Sequence, residues 1–82
     1  MTQETRGWMA CYNLASGQNA CYGALFASNE YAAMHISATV AISAAEHDKL
    51  VSGESLVFER PRKHRHWGEL VVSCQVKQVI ED

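Results

Sequence analysis

The residues able to do chemistry in this chain are concentrated in one run, Arg60-Pro61-Arg62-Lys63-His64-Arg65-His66-Trp67. Four of the seven Lys and Arg residues fall between Arg60 and His66, in a chain of net charge −2. Cations this close together neutralise phosphates or carboxylates, and the neighbouring Trp67 offers a flat face on which a base or a guanidinium can stack. The acidity of the whole confines such binding to a local patch, because a protein that wraps nucleic acid over its whole surface is basic overall. The competing reading is a solvated hairpin tip whose charges discourage edge pairing.

Other constellations carry less. His64 and His66 form an H-x-H pair, which on an extended backbone sets both rings on one side. The surrounding cations repel a dication, and no third ligand stands at diagnostic spacing. No metal and no cofactor is expected, and the pair instead gives the run a charge that varies with pH. His35 and His47 lie on other elements, with nothing in the sequence to bring them here. Cys11, Cys21 and Cys74 are an odd number without a CxxC motif. In a cytoplasmic protein the first two read as small buried thiols, with a cross-strand disulfide as the alternative in an oxidising setting, and Cys74 reads as core. Ser16, Ser43 and Ser52 lack the context of a nucleophile, and Gly17, Gly23, Gly53 and Gly68 are isolated rather than gathered in a phosphate loop. Glu46 and Asp48 resemble ordinary surface acids. The expectation is a protein that is not an enzyme.

The elements that must position the basic run can be read from periodicity. Gly7 to Leu14 is strand-like, Ala15-Ser16-Gly17-Gln18-Asn19 is a turn cluster, and Ala20 to Ala27 reads as a returning strand. Centring the turn at Ser16 sets Cys11 opposite Cys21, Tyr12 opposite Ala20, Ala10 opposite Tyr22 and Trp8 opposite Ala24. One face then holds Trp8, Tyr12, Tyr22 and Phe26, and the other Met9, Cys11, Cys21, Gly23 and Leu25. Since a small antiparallel sheet normally wets one side, the aromatic face is either core or a contact surface. Met34, Ile36, Ala38, Val40 and Ile42 alternate with smaller or polar residues, which favours a strand. The rival is a helix from Asn29 to Leu50 with Tyr31, Met34, Ala38, Ala41, Ile42 and Ala45 on its apolar stripe. Ser43-Ala44-Ala45-Glu46 has the form of a capping box; it opens a short helix that Leu50 and Val51 dock and Gly53 stops.

Leu56 and Phe58 alternate into the next strand, which Pro61 ends by Arg60. Leu70, Val72, Cys74 and Val76 form the apolar side of the last strand, with Val71 an exception and alternation continuing to Ile80. The fold class is α+β and β-rich: a small antiparallel sheet, or a partly open five-stranded barrel with one short helix between strands three and four. The latter order resembles the OB-fold.

Eighty-two residues make a single small domain, with 1–6 expected to be a flexible start. A hydrophobic content of 48% against 20% charged residues excludes disorder. A core of this size leaves little spare stability, so a homodimer is expected to supplement it. No stretch reaches the roughly 18 apolar residues of a membrane span, and Met1 to Arg6 lacks the apolar region of a secretory signal. These features predict a cytoplasmic protein without membrane association. Together they describe a non-enzymatic binding module that engages a macromolecule with an acidic surface, single-stranded or duplex nucleic acid or a protein, through residues 60–67 and the aromatic face. The alternative is a small phage or mobile-element protein of the anti-CRISPR kind that inhibits a host machine by direct protein contact.

Overall fold

Strand alternation from Gly7 onward is realised as β1 (Glu4–Leu14), which turns through Ser16 and Gly17 into the three-residue β2 (Asn19–Cys21). The computed structural model describes residues 4–81, with side chains from 5 to 80. β1 thus starts inside the segment expected to be flexible, and residues 1–3 lie outside the described ones. The hairpin register is the expected one at Cys11↔Cys21 and Tyr12↔Ala20, and the Tyr22 N–H donates to the Ala10 carbonyl at 2.8 Å. Beyond that the returning strand fails. The chain leaves β1 after Tyr22 and comes back only at Phe26, which bridges Trp8 where Ala24 was expected. Gly7 permits that return, because a Cβ there would meet the Phe26 carbonyl oxygen at 2.9 Å.

The segment read as a third strand is a helix, α1 (Asn29–Thr39). Ser28 caps it by accepting from the Tyr31 N–H, which satisfies one of the donors a helix start leaves open. Its buried stripe is Ala32, Ala33, Ile36 and Thr39, followed by Val40, while Tyr31 and Met34 face outward. Neither the strand nor the apolar face assigned to the rival helix is correct. Small residues make the buried side because they let the helix lie close on the sheet. α2 (Ala44–Val51) follows with the capping box in place and Leu50 buried. Gly53, at φ +91°, ends it by donating to the Leu50 carbonyl, a conformation that glycine adopts without Cβ strain.

β3 (Leu56–Lys63) and β4 (Leu70–Glu81) complete a four-stranded antiparallel sheet of order β2-β1-β4-β3. The sheet is open and both helices pack on one face, so the five-stranded barrel is not formed. β3 does not end before Pro61. It pairs at Val57↔Ser73, bulges over residues 58–61, and resumes at Arg62↔Val71. Proline is tolerated there because an edge-strand bulge needs no donor from it. A second irregularity, between Asn13↔Ser73 and Leu14↔Val71, shifts the phase of β4. Val71 is therefore buried with Cys74 and Val76, whereas Leu70 is exposed and Val72 only half-buried.

The core between sheet and helices joins Ala10, Tyr12 and Leu14 of β1 to Leu56, Phe58, Val71, Cys74 and Val76, under Ala32, Ile36, Val40 and Leu50. The other face of the sheet carries a Cys11–Cys21 disulfide where two thiols were expected. Directly opposed positions in an antiparallel pair bring the two sulfurs within bonding reach. Beside the disulfide, Asn13 Nδ2 donates to Ser73 Oγ at 2.7 Å. No helix among the described residues is long and apolar enough to cross a membrane.

Candidate functional site

The β3–β4 connection is built around His64, which is 2% exposed. Its backbone N–H donates to the Glu69 carbonyl and its carbonyl accepts from the Gly68 N–H, closing the turn. Its ring Nδ1 accepts from the backbone N–H groups of His66 and Trp67 at 3.2 and 3.1 Å. Since Nδ1 is an acceptor, the neutral ring carries its proton on Nε2. That nitrogen is buried and has no hydrogen-bond partner. The ring lies flat on Trp67, centroids 3.8 Å apart and planes 6° from parallel, and both rings meet Tyr12 edge-on. Burial first, then the proximity of His66 and His35, holds the His64 pKa below the ordinary imidazole value.

The arginines do not all point to solvent. Arg62 makes a bidentate pair with Glu46, at 2.8 and 2.9 Å, and donates to the Ala41 carbonyl at 2.8 Å. Its guanidinium also sits 4.2 Å from the Phe58 ring centroid. The Arg65 guanidinium reaches the Ala38 carbonyl at 3.3 Å, and its backbone N–H donates to the Thr39 carbonyl. α1 has no basic residue in its own last turn; Arg65 supplies a cation where helix carbonyls and the helix dipole favour one. Arg62 and Arg65 therefore staple the α1–α2 junction to the β3–β4 tip, and the sequence view of a uniformly outward cationic tip is corrected. Arg60 and Lys63 are exposed and take part in no ion pair among the described residues. The Lys63 side chain runs past Gly68.

Next to the tip lies a cavity of about 290 Å³ lined by Tyr22, His35, Thr39, His64, His66 and Trp67. Tyr22 stacks on Phe26 and leans on His35, centroids 4.2 Å apart, to form one wall. Trp67, still 40% exposed, forms the other wall with the two loop histidines. Thr39 Oγ1 accepts from the Tyr12 hydroxyl at 2.7 Å and donates back into the last turn of α1. No carboxylate lines the cavity. A larger hollow of about 470 Å³ lies at the β3 bulge, but its Arg62 and Glu46 already satisfy each other. Among the described residues, no three His, Cys, Asp or Glu side chains converge on a metal position.

No protein-family model, curated protein or solved structure matches this chain.

The aromatic face read from the hairpin is divided by the fold. Tyr12 is core, 1% exposed, because its ring is the hub of the His64–Trp67 stack and its hydroxyl has a buried partner. Trp8 and Phe26 pack partly buried against the core, and Tyr22 remains exposed. His64 likewise leaves the surface set, whereas His66 and Trp67 stay in it. Sequence reasoning missed His35 and Thr39. They stand four residues apart, so they share a face once 29–39 is helical, and the strand reading hid that signal. His47 lies on α2, 4.0 Å from Asp48.

Proposed function

We propose that this chain is a non-enzymatic binding module for single-stranded nucleic acid, with Trp67 as stacking platform and Lys63, Arg65 and Arg60 as phosphate contacts. The supporting observation is the backed tryptophan: Trp67 is held flat by His64 at 3.8 Å, is 40% exposed, and belongs to the same connection as the exposed Lys63 and Arg65. Platforms of this kind, next to cations, hold single strands because every base has a π face. A duplex is less well suited. α1 contains no Lys or Arg and α2 only Lys49, so neither offers a basic face for a groove.

The test is a fluorescence-anisotropy titration of matched single- and double-stranded oligonucleotides between about 50 and 200 mM salt. Three phosphate contacts give a log–log salt slope on the order of −2 for a single strand. The double variant R60A/K63A, which leaves both structural arginines untouched, is expected to reduce the magnitude of that slope by roughly 1.4. An absence of salt-dependent binding overturns the reading.

The alternative, an inhibitor of a host protein machine, is favoured by one observation: Tyr31 and Met34 stand exposed three residues apart on the outer side of α1. A homodimer would use the same apolar side. A cytoplasmic setting belongs to the proposal as well, and the Cys11–Cys21 disulfide is the observation that argues against it.

A further inference from the structure

We infer that the cavity between α1 and the β3–β4 tip receives one unstacked base, held between Tyr22–His35 and Trp67; this rests on the single-strand reading above. Size comes first. At about 290 Å³ the cavity lies at the lower end of small-ligand sites, which span roughly 300–1,000 Å³, and so it suits one planar ring system rather than a stretch of chain.

The walls have the matching chemistry. Five of the six lining side chains are aromatic or imidazole rings, and the sixth, Thr39, has its hydroxyl committed to Tyr12 and the helix backbone. With no carboxylate in the lining, nothing repels the electron-rich edge of a base. His35 and His64 are both held toward the neutral form by burial; His35 keeps one N–H donor and one ring-nitrogen acceptor, while His64, whose Nδ1 is already taken, keeps its N–H donor.

His64 adds an independent pointer. Its Nε2–H is a buried donor without an acceptor, an arrangement native proteins rarely leave unanswered. Because that nitrogen is buried, a base carbonyl or ring nitrogen reaches it only as the lining side chains shift on entry. The surrounding contacts leave the ring little freedom to turn away, because Nδ1 is fixed by two backbone donors and one ring face by Trp67. Tyr22, which also lines the cavity, is 40% exposed, so part of the lining can give way to an entering ring. Lys63 and Arg65 lie at the tip where the phosphates flanking such a base would run.

The deciding experiment compares three strands of about eight nucleotides, within the site size of small single-strand binders: oligothymidylate, the same backbone wholly abasic, and the abasic backbone carrying one central thymine. For the wild-type chain the single thymine is expected to tighten binding about tenfold over the abasic strand, consistent with the stacking of one base. In Y22A, and separately in W67A, the ratio of single-thymine to abasic affinity is expected to fall to about one. A near-ultraviolet circular dichroism spectrum checks the fold of Y22A and of W67A. If oligothymidylate binds but the single thymine adds nothing, or its gain survives in Y22A, the base pocket is overturned and the single-strand reading stands. If oligothymidylate does not bind, both fall.

Discussion

Burial holds the rings of His64 and His35 below the ordinary imidazole pKa, and that has a measurable consequence for stability. Between the lowered folded value and about 6.5, the unfolded chain takes up protons that the folded chain refuses. Stability is therefore complete above that window and declines as pH falls through it, by at most about 1.4 kcal/mol per pH unit for each refused proton. Urea unfolding at pH 8 and at pH 5.5 is expected to show a loss on the order of 1 kcal/mol at the lower pH. Constant or rising stability would mean that His64 protonates freely in place, which its two Nδ1 hydrogen bonds forbid. Cys74 is a further buried titratable residue, in the core with Tyr12. Burial pushes its thiol up to about 12, so it fills space and does not react.

At the scale of elements, Glu46 joins the start of α2 to β3. Its carboxylate accepts from the Ser43 N–H at 2.8 Å within the capping box and pairs bidentately with Arg62. The hydrogen bonds from Arg62, and then from Ser43, lower its pKa to about 2. A carboxyl depressed on folding stabilises above its unfolded value, and that contribution disappears as pH falls from about 4.5 toward 2, a window below the histidine one. Glu46→Ala should destabilise by about 1–2 kcal/mol, most of it the lost cap. The ion pair adds less than its geometry suggests, because both side chains are partly exposed. Glu46→Gln keeps the capping acceptor and loses the charge, so thermal melts should place it between Ala and wild type. Equal melting of Ala and wild type would sever α2 from the β3 tip in this account.

The whole molecule is small, and its sheet ends in a strand of only three residues, β2. A covalent link there matters more than it would in a large domain. The Cys11–Cys21 disulfide closes a short loop across the hairpin, and restricting the unfolded chain in this way stabilises by about 2–3 kcal/mol. For a domain of this size, reduction or the C11S/C21S double variant is expected to lower the melting temperature by roughly 10–20 °C. An unchanged melting temperature would show that β2 is held by its pairing and by Ala20 alone.

The sequence by itself determined whatever is encoded by near neighbours. The Ser16 turn set Cys11 against Cys21, Ser43 and Glu46 set the start of α2, and Gly53 set its end. It also gave Cys74 and Val76 on the buried side of the last strand, although Ile80, read on the same side, is exposed. Three features were decided only by the tertiary structure. From Met34 to Ile42 the apolar alternation imitates a strand, while half of the buried stripe of α1 is alanine, whose signal is weak until a sheet approaches close enough to need small residues. The bulges opposite Val72 reversed which of Leu70 and Val71 is buried, because an extra residue flips every side chain beyond it. The basic run was legible as charge and not as direction. Arg62 and Arg65 dock on carbonyls of Ala41 and Ala38, and since every residue carries a carbonyl, only the placing of the α1–α2 junction beside the β3–β4 tip selects which ones they reach.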